Sequence, residues 1–179
     1  KLNTMFDIAI IGGGPGGYVA AEKAGKNGLK AILFEKKELG GVCLNEGCIP
    51  TKTLLYSAKL YDHARGSEKY GVRADGVELD YKKMFDRKTK VIRKLVAGVG
   101  LKMKNANVQV IKEEAVIEGR SAEGLFRIKA AGETYEAKHL LLCTGSETFI
   151  PPIPGLDLQE NEAIITSREL LAMKEAPSS

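Results

Sequence analysis

The stretch Phe6-Asp7-Ile8-Ala9-Ile10-Ile11-Gly12-Gly13-Gly14-Pro15-Gly16-Gly17 constrains this chain more than any other. A short apolar run leads straight into glycines, and Tyr18 to Lys26 is then Ala-rich with helical spacing. The run reads as a buried parallel strand and Tyr18–Lys26 as a helix closed by Gly28. Gly12-x-Gly14-x-x-Gly17 therefore falls where a strand must turn sharply into a helix. The first glycine permits the turn, the second lets a pyrophosphate approach the backbone, and the third lets helix pack on strand. The helix start offers unpaired N–H groups and a partial positive charge to phosphates. Lys30 to Glu35 reads as the second strand, completing a βαβ unit of about thirty residues. Glu35 at its end is placed to accept hydrogen bonds from a ribose hydroxyl. An acid there favours an unphosphorylated adenosine ribose, hence FAD or NAD rather than NADP.

Directly downstream comes Gly40-Gly41-Val42-Cys43-Leu44-Asn45-Glu46-Gly47-Cys48-Ile49-Pro50-Thr51-Lys52. In an ideal helix, residues five apart have Cα atoms roughly 8–9 Å apart, whereas a disulfide wants roughly 4.4–6.8 Å. Regular helix cannot bridge Cys43 and Cys48, and Gly47 is the expected place for a distortion. Pro50 cannot donate to the carbonyl of Glu46. Regular helix is thus expected to begin around Ile49 to Thr51, with both cysteines on an irregular lead-in. The positive end of a helix favours a thiolate over a thiol. A zinc site, two inert thiols and a structural disulfide are the competing readings. Two cysteines make a poor zinc site, and neither His63 nor His139 stands at ligand spacing, so no metal is expected. The pair reads as a redox-active dithiol.

Composition narrows the setting. The chain has 179 residues, a formal charge of +4 and 3 cysteines. An odd cysteine count argues against a secreted disulfide framework and for a reducing, cytoplasmic compartment. No apolar run approaches the length of a membrane span, and no signal peptide opens the chain. The basic residues Lys82, Lys83, Arg87, Lys88, Lys90, Arg93, Lys94, Lys102 and Lys104 alternate with apolar ones in a long helical stretch, about 81–104. They read as a solvated helix face, and no nucleic-acid partner is expected.

Elsewhere, 52–65 reads as a helix, 108–111 and 115–117 as short strands, and 125–130 with 134–137 as a hairpin around Gly132. His139 to Cys143 reads as a further buried parallel strand, and Pro151 to Gly155 as a stiff extended segment. Thr166-Ser167-Arg168-Glu169 matches a capping box opening a helix to Met173.

The cysteine segment resembles the active-site signature of the flavoprotein disulfide reductases. Its Cys-Leu-Asn-x-Gly-Cys-Ile-Pro-x-Lys form is most similar to the dihydrolipoamide dehydrogenase branch; glutathione and mercuric reductases more often carry valines where Leu44 and Ile49 stand. Leu142-Cys143-Thr144-Gly145-Ser146-Glu147 and Pro151-Pro152-Ile153-Pro154-Gly155 extend the resemblance over the chain. The family motif usually has alanine at Cys143, which is therefore read as a buried bystander. The resemblance implies an α/β, Rossmann-like FAD-binding domain with a parallel central sheet and a small antiparallel β-meander. It makes Cys48 the flavin-facing thiol, Cys43 the interchange thiol that meets the dithiol substrate, and Lys52 a cation near the flavin. Gly12, Gly14, Pro15, Gly16, Gly17, Glu35, Lys36, Gly41, Val42, Cys43, Gly47, Cys48, Lys52, Ala115, Thr144, Gly145 and Ser146 become the expected FAD contacts.

On this reading residues 1–176 form the N-terminal segment of the FAD domain, and 177–179 begin a linker to an NAD-binding domain. An intact parent would oxidise dihydrolipoyl groups, carried on an acyltransferase or carrier protein, and reduce NAD+ through the disulfide and FAD. It would act as a homodimer. The second glycine fingerprint and the His-Glu acid/base pair of the family find no match here, so the chain reads as a truncated, incomplete fold, inactive alone, with FAD weakly bound or lost. A stand-alone FAD or thiol-redox module, or a related disulfide reductase such as glutathione or mercuric reductase, is the alternative.

Overall fold

The computed structural model describes residues 5–156 and 164–177, grouped in two compact units. Of the expected linker start, Ser178 and Ser179 lie outside the described residues.

The first unit comprises Lys1–Asn45 and Lys94–Ser146. Its sheet holds β1 (Met5–Ile11), β2 (Ala31–Phe34), β3 (Gln109–Ile111), β4 (Val116–Arg120), β5 (Phe126–Ala130) and β6 (Glu133–Leu142). The spatial order is β3-β2-β1-β6-β5-β4. β3, β2, β1 and β6 run parallel, while β5 and β4 continue the sheet as an antiparallel meander. This is the mixed architecture expected from the sequence. All four residues of β2 are buried, as befits a parallel strand covered on both faces.

β6 joins the two halves. Its residues pair parallel with β1, Ile8 opposite His139, and antiparallel with β5, Phe126 opposite Ala137. The sequence divides this region into two strands, 134–137 and 139–143, but the structure runs them together. Lys138, between the two expected strands, carries no backbone break and reaches Asp7 of β1 at 2.8 Å. β4 is also longer than the expected 115–117, continuing past an irregularity between Ile117 and Gly119.

Phe6, Ala9, Ile32, Phe34, Ile128, Ala130 and Ala137 form one buried cluster, with Tyr135 set edge-on to Phe34 at 5.4 Å between ring centroids. Each large apolar side chain fully buried this way contributes roughly 1.5–3 kcal/mol. α1 (Pro15–Lys26) starts three residues before the expected Tyr18. Pro15 takes its first position, where a missing N–H costs no helical bond. The helix ends at Asn27, and Gly28 follows at φ +80°.

The second unit comprises Glu46–Arg93 and Glu147–Ser179. It holds α3 (Cys48–Arg65), the first half of α4 (Tyr81–Asn105) and α5 (Ser167–Ala172). The capping box is present: Thr166 accepts from the Arg168 N–H, and Glu169 accepts from the Thr166 N–H at 2.7 Å. The basic face of α4 departs from expectation at Lys88, which is only 4% exposed. Its ammonium donates to the Leu171 carbonyl at 2.6 Å and lies 3.6 Å from the Phe85 ring centroid, and burial pulls its pKa below the usual lysine value. The segment Pro151–Gly155 is not extended throughout. Leu156 N–H donates to Ile153 O at 2.9 Å and Gly155 has φ +82°, so Ile153–Leu156 closes a turn with proline and glycine at its centre.

Candidate functional site

In the first unit the ends of three parallel strands meet. Gly12 N–H donates to Phe34 O at 2.8 Å and Cys143 N–H to Ile11 O at 2.8 Å, so the chain leaves β1 between β2 and β6. Gly12 turns with φ +105°, and a Cβ on it would lie 2.1 Å from the Cys143 carbonyl oxygen. A Cβ on Gly17 would lie 1.7 Å from Gly12 O, so α1 sits directly on the turn. The fingerprint glycines are thus required at both positions by backbone contact.

Helical bonding begins with Tyr18 N–H to Gly14 O at 2.9 Å. The first-turn N–H groups of Gly14, Gly16 and Gly17 have no intrahelical acceptor. Gly14 brings no side-chain cap and the first turn holds no acid, so no carboxylate of the helix itself competes with a bound anion there. Glu35 is set beside this turn. Its Oε2 accepts from Gly13 N–H and its Oε1 from Lys37 N–H, each at 2.7 Å. The carboxylate is fixed in orientation yet keeps lone pairs for hydroxyl donors. A helix start open to phosphate and an oriented carboxylate on the adjacent strand fit a dinucleotide.

The loop carrying the first half of the cysteine segment packs on the same turn. Gly40 N–H donates to Gly13 O at 2.8 Å, and a Cβ on Gly41 (φ +60°) would lie 2.6 Å from Gly14 Cα. α2 (Gly41–Asn45) follows, with Leu44 buried, Val42 exposed and Cys43 partly exposed. Asn45 secures it by donating through Nδ2 to Leu39 O at 3.1 Å and Gly41 O at 3.0 Å. Lys36 pairs with Glu114 at 2.9 Å beside Ala115, which packs on the core. Thr144, Gly145 and Ser146 are exposed just past β6. The structure thus gathers Gly12, Gly14, Pro15, Gly16, Gly17, Glu35 and Gly41 on one strand-end edge. Cys143 is partly exposed rather than buried, its sulfur 3.5 Å from where a Gly16 Cβ would stand.

Gly47, Cys48 and Lys52 belong to the second unit. Regular helix begins at Cys48 itself, not at 49–51, and Cys43 lies in the short helix α2 rather than on an irregular lead-in. The distortion is confined to Glu46 and Gly47, the residues between the helices. Pro50 is buried and Thr51 N–H donates to Gly47 O at 3.1 Å, so Cys48 can be helical without the bond that proline denies to Glu46. Cys48 and Lys52 are both exposed and stand one turn apart, on one face of α3. Arg168 contacts Glu46 at 3.1 Å and also pairs with Glu147. The Glu147 hydrogen bond, ahead of the attraction of Glu46 and Glu169, raises the Arg168 pKa.

Three of these features escape sequence reasoning: the Gly13 N–H as partner of Glu35, the Asn45 clamp, and Arg168. The Asn45 spacing of four from Gly41 is a local signal for such a clamp. The other two contacts join residues 22 and 122 positions apart, with no local pattern.

The family described as "Pyridine nucleotide-disulphide oxidoreductase" matches residues 6–179. A dihydrolipoyl dehydrogenase of Acholeplasma laidlawii is 42% identical over 180 residues, covering 99% of this chain and 52% of that protein. One from Bacillus subtilis is 40% identical over 186 residues, covering 99% of this chain and 39% of that protein. The chain therefore spans about half the length of the first relative and less of the second. Among solved structures, the Cu(II) complex of the HOCl-induced flavoprotein disulfide reductase RclA from Escherichia coli superposes with a TM-score of 0.74 at 26% identity, covering 94% of this chain and 34% of that one. With the fingerprint turn, the oriented Glu35 and a family match over nearly its whole length, the chain belongs to the pyridine nucleotide-disulphide oxidoreductases.

Proposed function

We propose that this chain is the FAD-binding and redox-disulfide portion of a dihydrolipoamide dehydrogenase. The observation that carries the cofactor reading is the Glu35 carboxylate held on Gly13 N–H beside the uncapped start of α1. Gly12, Gly14, Pro15, Gly16 and Gly17 would hold the pyrophosphate, and Glu35 with Lys36 the ribose. Ala115, Thr144, Gly145 and Ser146 would add contacts along the cofactor. The roles of Gly41, Val42, Cys43, Gly47, Cys48 and Lys52 toward its ring end rest on the motif. When bound, FAD supplies the two-electron relay between the dithiol and NAD+.

The protein residues carry the thiol chemistry. A dihydrolipoyl thiolate attacks Cys43 Sγ, breaks the Cys43–Cys48 bond and releases Cys48 as a thiolate. The second substrate thiolate attacks the substrate sulfur of the mixed disulfide, closing the lipoyl disulfide and releasing Cys43 as a thiolate. The positive end of the 18-residue α3 and the Lys52 ammonium stabilise the charge left on Cys48. In the whole protein NAD+ is the acceptor, the dihydrolipoyl group arrives on a carrier or acyltransferase, and the active form is a cytoplasmic homodimer.

Thiol mapping tests this reading. The oxidised protein is blocked, treated with dihydrolipoamide, alkylated and mapped by mass spectrometry. New label is expected in equal amounts at Cys43 and Cys48 and none at Cys143. An oxidised sample that contains no Cys43–Cys48 disulfide contradicts the proposal. Faster reduction by glutathione than by dihydrolipoamide would favour a glutathione-type reductase instead.

A further inference from the structure

Within the second unit, polar contacts form a closed circuit around the residue between the two cysteines. Arg168 Nε lies 3.1 Å from Glu46 Oε2, with the side chains 21% and 33% exposed, and the same guanidinium pairs with Glu147. Arg168 stands on α5, whose start is fixed by the Thr166–Glu169 capping box. The other end of α5 is held by α4: Lys88 Nζ donates to Leu171 O at 2.6 Å and Tyr81 Oη to Met173 O at 3.1 Å. α4 is tied in turn to α3, which begins at Cys48, by Arg87 Nη1 to Thr53 O at 3.4 Å. A six-residue helix with both ends fixed presents one arginine to the residue two positions before Cys48. An arginine shared by two carboxylates loses less freedom per hydrogen bond than a lysine would.

From this circuit we infer that Arg168 is a positioning residue for the redox pair: by clamping Glu46 it fixes the Glu46–Gly47 break and the start of α3 at Cys48, which favours the disulfide over the dithiol. The inference rests on the redox-disulfide reading above. Its energetic expression is in the disulfide equilibrium rather than in global stability, because a partly exposed ion pair adds little to folding. Asn45 secures the segment on the Cys43 side through Leu39 O and Gly41 O, and Arg168 holds it at Glu46.

The test is equilibrium with glutathione at fixed pH. The two protein thiols give up two protons and two electrons and form one disulfide, and oxidised glutathione takes both to become two thiols. Disulfide fractions are read by thiol mass-tagging. Arg168→Met is expected to lower the equilibrium constant for the Cys43–Cys48 disulfide about tenfold, which is ~30 mV for this couple. Its melting temperature should stay close to that of the parent chain. Arg168→Lys should fall between the two, and Glu46→Gln, a change on the other partner, should shift the constant the same way by a smaller factor. Thr166→Ala, which weakens the α5 cap but keeps the arginine, should shift it less than Arg168→Met. Constants for Arg168→Met and Glu46→Gln both within twofold of the parent chain would overturn the clamp while leaving the redox reading intact. A parent chain that forms no Cys43–Cys48 disulfide at any glutathione ratio would overturn both.

Discussion

At Gly12 a positive φ of +105° coincides with a carbonyl oxygen 2.1 Å from where a Cβ would stand. Gly12→Ala is therefore expected to cost about 3 kcal/mol or more, since strain and a backbone clash add; urea unfolding measures it. Glu35→Gln differs in kind. It keeps an acceptor for Gly13 N–H but loses the charge that orients hydroxyl donors, so it should lower FAD affinity about tenfold with little change in urea midpoint, as fluorescence titration would show. Asp7 supplies a pH signature. The Lys138 hydrogen bond, then the Lys30 N–H, hold its carboxyl below the usual range. Its contribution is complete above the unfolded value of about 3.9 and is lost as pH falls through the lower folded value. Asp7→Asn should thus flatten the acid side of a melting-temperature profile. The glycines and Glu35 were legible because each sits at a fixed spacing from a strand end. The partner of Glu35 was not, because a backbone N–H leaves no mark in composition.

At the scale of elements, the cysteine segment shows what local rules reach. Gly47 and Pro50 foretell a break, and the break falls at Glu46–Gly47. They do not foretell that Gly41–Asn45 coils into a helix, because that depends on Leu44 burying and on Asn45 clamping Leu39 and Gly41. α4 teaches the same about charge. Periodicity reads its lysines as one solvated face, yet Lys88 is buried because the end of α5 offers a carbonyl there. Lys88→Met should release that end. Hydrogen exchange at the amides of Leu170 to Met173 is expected to rise about tenfold, while that of β1 and β2 stays unchanged.

For the molecule as a whole, the parallel neighbours β1 and β2 were legible through one rule, that sequential parallel strands cross over a helix, and β1-α1-β2 obeys it. The merging of meander and parallel sheet in β6 was not legible, because the change from mixed polar residues up to His139 to the apolar run Leu140 to Leu142 looks like a boundary until the partner of Lys138, Asp7, is known. The grouping of the chain into two units was equally hidden, since α4 runs through both without any glycine or proline at the crossing between Arg93 and Lys94. The proposed function requires the first unit to accept a dinucleotide at its strand-end edge. The most direct measurement is titration of the purified chain with FAD, followed by flavin fluorescence, alongside Glu35→Gln and with NADP+ as competitor. Saturable one-to-one binding, weakened about tenfold by Glu35→Gln and not displaced by NADP+, is the expected result. Failure to bind FAD even at millimolar concentration, or binding indifferent to Glu35, would contradict it.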